Sequence, residues 1–159
     1  MQLIITFLQI YLFRKGPQDV PYSVGLMLSV LFIDAAVRIL TFNLADIHYA
    51  WVLILIDYFF LIGFISIALW ARKFSGRFVQ TFTAALAIDL IGFAFLELIN
   101  LISIENANLA YNLIELWSWA VLSFIMRQAM NVSILTASLV TFAYALVFLG
   151  FYFLFWMHL

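Results

Sequence analysis

Long apolar runs dominate the chain, and short polar stretches separate them. Five of the runs reach the ~20 residues that a helix needs to cross the hydrocarbon core of a bilayer. They predict membrane spans at positions 23–43, 50–70, 79–101, 109–126 and 133–156. Each span is expected to be an α-helix, because backbone groups in lipid have to be paired within their own segment. The predicted fold class is therefore an all-α integral membrane protein with five transmembrane helices in a single domain.

The first 13 residues, MQLIITFLQIYLF, are apolar but too short to span. Gln2, Thr6 and Gln9 recur at helical spacing and form one polar stripe on a helix. Two interpretations fit this pattern: a helix lying at the membrane interface, or a half-buried helix packed against the bundle. We adopt the interfacial helix over 1–13 as the prediction. The only two prolines of the chain follow it and interrupt helix formation before the first span.

Composition and charge support a membrane protein and predict its orientation. Hydrophobic residues make up 68% of the chain and charged residues 9%, whereas soluble domains are about half apolar and a quarter charged. The expected surroundings are thus the lipid bilayer, and a net charge of −1 gives no indication of a nucleic-acid partner. Six of the seven basic residues lie on one side of the predicted bundle, namely Arg14, Lys15, Arg72, Lys73, Arg77 and Arg127. The positive-inside rule makes that side cytoplasmic, so we predict a cytoplasmic N-terminus and a C-terminus on the opposite side.

The seventh basic residue, Arg38, lies inside the first span, four residues after Asp34. This spacing places both side chains on one helix face. Counted at ~1.5 Å per residue from the predicted outer ends, Arg38 lies roughly 7 Å deep and Asp34 about 13 Å deep. Acidic residues of three other spans fall in the outer half of the bilayer or near its midplane. The candidate site is this intramembrane polar cluster, which comprises Asp34, Arg38, Asp57, Asp89, Glu97 and Glu115.

Three explanations of the cluster remain open at this point. Charge inside a membrane costs several kcal/mol and normally faces the bundle interior with a partner. The cluster can therefore be an ion-pair network that fixes helix packing, a proton or cation pathway, or a polar pocket for a lipid headgroup or partner helix. In each case we expect Arg38 to be the central partner, closest to Asp34 and to Asp57 or Glu115.

No catalytic motif accompanies the cluster. Aspartates in LIDYFF and AIDLIGF are similar to those of aspartyl intramembrane proteases, but the GxGD sequence is absent. The chain also lacks GxSxG, HExxH, cysteine and any metal-ligand spacing, and its six glycines are dispersed. We therefore predict no enzyme activity, no cofactor and no metal site. Small residues at Ser133, Ala137 and Thr141 instead predict a close helix–helix contact.

Two segments, FSGRFVQTFTAALAIDLIGF and ELWSWAVLSFIMRQAMNVSILTASLVTFAYAL, resemble the latter part of Yip-type (Ypt-interacting) membrane proteins. In that family a glycine-containing loop leads into a small-residue span, and an aromatic-rich span ends in an R-x-A-x-x-V-S turn before the last helix. The similarity covers positions 74–146. It implies five spans, a cytosolic N-terminus and a non-enzymatic role in the bilayer, and it assigns no functional residues.

The sequence thus predicts a non-enzymatic scaffold, assembly or accessory subunit of a membrane complex. Its expected partner is another membrane protein or a second copy of the chain. The alternative is a small proton- or cation-coupled transporter that uses the intramembrane polar cluster. The absence of an inverted repeat and of proline within any span favours the first function.

Overall fold

The structure is a computed structural model that describes residues 2–44, 49–102 and 107–156. The described residues form six α-helices and two 3-10 turns, at Pro17–Asp19 and Ser75–Arg77, and contain no strand. In chain order the helices are α1 (Gln2–Tyr11), α2 (Val24–Leu44), α3 (Ala50–Ala71), α4 (Phe78–Ile102), α5 (Ala107–Met130) and α6 (Ile134–Trp156). Helices α2 to α6 are each long and apolar enough to cross a bilayer. The predicted fold class, five transmembrane helices with a short helix before them, is confirmed.

The end of α5 differs from the prediction. The helix continues to Met130, so most of the expected loop RQAMN is helical. It ends because Asn131 adopts a left-handed backbone conformation with φ of 53°. The Val132 amide then donates to the Arg127 carbonyl at 3.2 Å, a bond typical of helix C-termini that close in this way. The other predicted span boundaries agree with the helices to within about two residues.

Helix α4 is the centre of the bundle and contacts α1, α2, α3 and α5. Its residues 81–88, TFTAALAI, are all buried, on every face of the helix. Small side chains in this stretch allow neighbouring backbones to approach closely. The hydroxyls of Thr81 and Thr83 donate to carbonyls of their own helix, at 2.8 and 2.6 Å, so they can be buried in apolar surroundings. Helix α6 packs on α5, and Ala137 and Thr141 of the predicted small-residue stripe are buried.

Four basic residues mark one end of the bundle, which we call the basic end: Arg72, Lys73, Arg77 and Arg127. The first three lie between α3 and α4, and the fourth lies in the last turn of α5. Arg77 Nη1 donates to the Ala129 carbonyl at 3.0 Å and thereby joins this connection to the C-terminus of α5. A cation is favourable there because the last carbonyls of a helix carry partial negative charge.

Helix α1 packs along α4 and α5. The Trp117 Nε1 group of α5 donates to the Tyr11 carbonyl at 3.1 Å, and the Tyr11 ring stacks on Phe95 with centroids 5.9 Å apart. Phe95 follows the first residue of α4 by 17 positions, which corresponds to roughly 25 Å of helix. The Tyr11 ring therefore reaches deep along the bundle, whereas Phe13 contacts Phe124, six residues before the last residue of α5.

The chain then turns back toward the basic end. Phe13 adopts φ of 59°, and the Arg14 amide donates to the Gln9 carbonyl at 2.7 Å, which closes α1. By Val20 the chain has returned to the start of α4, where Gln80 Nε2 donates to the Val20 carbonyl at 2.6 Å. Residues 2–20 thus form a hairpin, called here the N-terminal hairpin. These contacts correspond to the packed-helix interpretation of the segment rather than to the adopted interfacial one.

Candidate functional site

The guanidinium of Arg38 lies among carboxylates from three helices. Its Nη1 donates to Oδ2 of Asp57 on α3 at 2.7 Å. Its Nε lies 3.0 Å from Oδ2 of Asp34 on α2, an ion pair without hydrogen-bond geometry. Its Nη2 pairs with Oδ2 of Asp89 on α4. The structure therefore brings together four of the six residues of the predicted cluster, and of the two expected partners on other helices it places Asp57 against Arg38.

Asp34 is the most enclosed of the carboxylates. Asp34 is fully buried, and the Tyr58 hydroxyl of α3 donates to its Oδ2 at 2.7 Å. The other oxygen, Oδ1, is buried and has no hydrogen-bond donor among the described residues. Asp34 consequently depends on Arg38 and Tyr58 for its stabilisation, because a buried charge without partners is very costly.

The three carboxylates differ in exposure. The side chain of Asp34 is 0% exposed, that of Asp57 24% and that of Asp89 41%. Asp89 follows the first residue of α4 by 11 positions, or roughly 16 Å, which places it near mid-length. The network is thus sealed on the Asp34 side and open on the Asp89 side.

The open side faces a cavity of about 390 Å³ that all five spans line. Arg38, Asp57 and Asp89 form part of its wall. On α4 the lining extends from Ala85 to Leu96, roughly 10 to 27 Å along the helix from the basic end. The cavity therefore occupies the middle of the bundle and the half that lies away from the basic end. A carboxylate at this depth requires polar contents in the cavity, because exposure to hydrocarbon costs several kcal/mol.

The two glutamates of the predicted cluster occupy different places. Glu115 of α5 lines the cavity, is exposed, and makes no ion pair or hydrogen bond with any residue that the structure describes. Glu97 of α4 is not part of the cavity wall. Position 97 lies eight residues after Asp89, which rotates it by roughly 80° around the helix and away from the lining face. We included Glu97 in the predicted cluster because its depth along the span matches that of the other acids. Its angular position on α4 places it outside the cavity wall.

Aromatic side chains form much of the remaining wall, and none of them belongs to the predicted cluster. From the described part of α6, the side chains of Tyr144, Phe148 and Tyr152 line the cavity. Their spacing of four residues was the signal available in the sequence, because it places all three on one helix face. Trp119 of α5 lies four residues after Glu115 on the same helix and also lines the cavity.

Aromatic rings pack against one another in the cavity wall and lie close to the positive charge of Arg38. The Trp119 and Tyr144 ring centroids are 5.8 Å apart. The rings of Tyr58 and Phe93 lie 5.8 and 5.9 Å from the Arg38 guanidinium carbon, and Phe93 also lines the cavity. Aromatic faces attract cations at such distances, so the site combines carboxylates with rings that favour the same sign of charge.

The acidic residues of the site surround Arg38 and not an open position for a metal ion. No group of three or more His, Cys, Asp or Glu in the described ranges is arranged to hold a metal ion. The place between Asp34, Asp57 and Asp89 is taken by the Arg38 guanidinium. Comparison with known proteins adds no assignment. The chain matches no protein-family model, no curated protein and no solved structure.

Proposed function

We propose that this protein is a small proton- or cation-coupled transporter that works without catalysis and uses the cavity as its binding site. The observation that carries the proposal is the exposure of Asp89 and Glu115 into a cavity inside the membrane-spanning bundle. A network that served packing alone would be covered on all sides, because exposed charge in hydrocarbon is unfavourable. Partly exposed carboxylates that outnumber the one guanidinium are suited to exchanging a cation or proton with the cavity.

Orientation in the membrane is part of the proposal. The basic end is proposed to be cytoplasmic, with the N-terminus on that side and the C-terminus on the other. Support comes from Arg72, Lys73, Arg77 and Arg127, which lie at one end of the bundle. On this orientation the cavity lies in the membrane centre and outer half.

Cation-driven proton movement in proteoliposomes tests the transporter. Vesicles that hold the purified protein and a pH-sensitive dye are made acidic inside, and sodium, potassium or an organic ammonium salt is added outside in separate experiments. At least one cation is expected to collapse the proton gradient faster than it does in protein-free vesicles. Glu115→Gln should slow this collapse, and Glu97→Gln is the matched control because Glu97 lies outside the cavity wall. A gradient unaffected by every cation would contradict the proposal.

The second candidate is a non-enzymatic scaffold, assembly or accessory subunit. The specific observation in its favour is the ion-pair network itself, which joins α2 to α3 and α4 and has an obvious use in packing. The resemblance to Yip-type proteins supports the same role. Purification in mild detergent discriminates the two functions, since a membrane protein that co-purifies in fixed ratio favours the subunit. Isolation as a single species with cation-driven proton movement favours the transporter.

A further inference from the structure

The cavity has two chemically different kinds of wall. Asp57, Asp89 and Glu115 contribute carboxylates from α3, α4 and α5, and among the described lining residues Arg38 alone carries a positive charge. The lining residues that the structure describes on α6 are all aromatic, namely Tyr144, Phe148 and Tyr152. A ligand that contacts both kinds of wall has to carry positive charge at one part and an apolar surface at another.

The size of the cavity favours an organic ligand over a bare metal cation. A volume of about 390 Å³ lies within the ~300–1,000 Å³ range of small-molecule pockets in proteins. A desolvated alkali cation needs a close shell of several oxygens, whereas the carboxylates here belong to three different helices around a wide space. Aromatic rings provide a better surface for an alkylammonium group, which they attract through cation–π contact.

We propose that the cavity binds an organic monocation, with its charged nitrogen toward Asp89 and Glu115 and its apolar body against the rings of α6 and Trp119. This inference rests on the proposed transporter function and names its substrate class. The same ammonium chemistry is available from a free organic cation or from the headgroup of a choline lipid. Both sources use the same carboxylates and rings.

Direct binding of benzyltrimethylammonium to the purified full-length protein in dodecyl maltoside tests the inference. The radiolabelled cation is expected to bind saturably at one site per chain. Neopentylbenzene has the same shape with carbon in place of the charged nitrogen, and an excess of it should not displace the label. Displacement by neopentylbenzene as effective as by the unlabelled cation would overturn the inference, because the cavity would then select for shape alone.

Matched variants locate the binding site. Glu115→Gln should weaken binding by about tenfold or more, because a carboxylate facing the cation is lost in a region of low dielectric. Trp119→Leu should weaken it by about tenfold through loss of a cation–π contact. The controls Glu97→Gln and Trp51→Leu, both outside the cavity wall, should bind as the wild type does. If Glu115→Gln and Trp119→Leu retain the wild-type melting temperature and full affinity, the proposed site is wrong.

Two further measurements distinguish a lipid headgroup from a free cation, and a failure of the organic-cation site from a failure of the transporter. Loss of binding on addition of a phosphatidylcholine, but not of a phosphatidylglycerol, supports a lipid headgroup, and unchanged binding with both supports a free cation. Sodium- or potassium-driven proton movement without benzyltrimethylammonium binding would overturn the organic-cation inference and leave the transporter standing. Glu115-dependent binding without any cation-driven proton movement would support the organic-cation site and contradict the transporter.

Discussion

Arg38 on α2 and Asp57 on α3 form a direct hydrogen-bonded ion pair, with Nη1 and Oδ2 2.7 Å apart. The same guanidinium also pairs with Asp34 and Asp89, so one side chain joins α2 to the two helices against which it packs. The three carboxylates share one positively charged partner, so removal of Arg38 leaves all three without an ion pair. Loss of the arginine is therefore expected to have a larger effect than loss of any one aspartate.

Replacement of Arg38 by leucine should destabilise the protein strongly. Breaking a buried ion pair by removing one partner typically costs ~3–5 kcal/mol, because it leaves uncompensated charge in low dielectric. Asp34 is fully enclosed and bears most of this cost, whereas Asp57 and Asp89 reach the cavity. The double variant Arg38→Leu with Asp34→Asn should be more stable than Arg38→Leu, since the amide oxygen still accepts from Tyr58. Folded yield and melting temperature in detergent measure both effects.

A neutral Arg38→Leu variant would contradict this account. It would mean that the arginine reaches the outer surface by extending its side chain and contributes little to the network. Arg72→Leu serves as the control, because Arg72 is exposed at the basic end and should tolerate the same substitution.

Single cysteines should report the orientation of the bundle, since the native chain contains none. Cysteines at Gly76 and Asn106 are expected to react with an impermeant thiol reagent from opposite sides of the membrane. Gly76 lies at the basic end, and a β-carbon there meets nothing within 4 Å; Asn106 lies outside the described residues. Labelling of both positions from the same side would be incompatible with five spans.

The tip of the N-terminal hairpin should be inaccessible to water-soluble reagents. Leu12 is 52% exposed on an apolar surface of the bundle, which faces hydrocarbon rather than water when the bundle lies in a bilayer. Leu12→Cys is therefore expected to resist an impermeant maleimide and to react with a membrane-permeant one. Gln18→Cys, exposed near the start of α4, should react readily from the side that labels Gly76→Cys. Equal rates at positions 12 and 18 would instead support the interfacial helix.

Two helical glycines should respond differently to alanine. A β-carbon at Gly63 meets nothing within 4 Å, whereas one at Gly92 would lie 2.9 Å from the Ser118 hydroxyl oxygen. Gly63→Ala is expected to gain about 0.5–1 kcal/mol from better helix propensity. Gly92→Ala should gain less or lose stability, because Ser118 has to move away from the α4–α5 contact. Denaturant unfolding in detergent measures the difference, and equal gains at both sites would show that the Ser118 side chain moves without cost.

Local rules in the sequence determined the spans. Lipid demands about 20 apolar residues and internally paired backbone groups, and these two requirements need no knowledge of neighbouring helices. The end of α5 was less predictable, because a charged residue such as Arg127 fits either a loop after the helix or the last turn of the helix itself. In the structure it lies in the last turn, where a cation is favourable. The depth of the N-terminal hairpin was also undetermined, since it depends on Tyr11 meeting Phe95 and Trp117.

The candidate site was determined only in part by the sequence. The i,i+4 spacing placed Asp34 beside Arg38, because both lie on one helix and its geometry is known in advance. Which acids of other helices meet Arg38 depends on how α2, α3 and α4 are rotated about their axes, and rotation follows from packing across the whole bundle. Tertiary structure alone therefore decided that Asp57 and Asp89 pair with Arg38, that Glu115 faces the cavity, and that Glu97 does not.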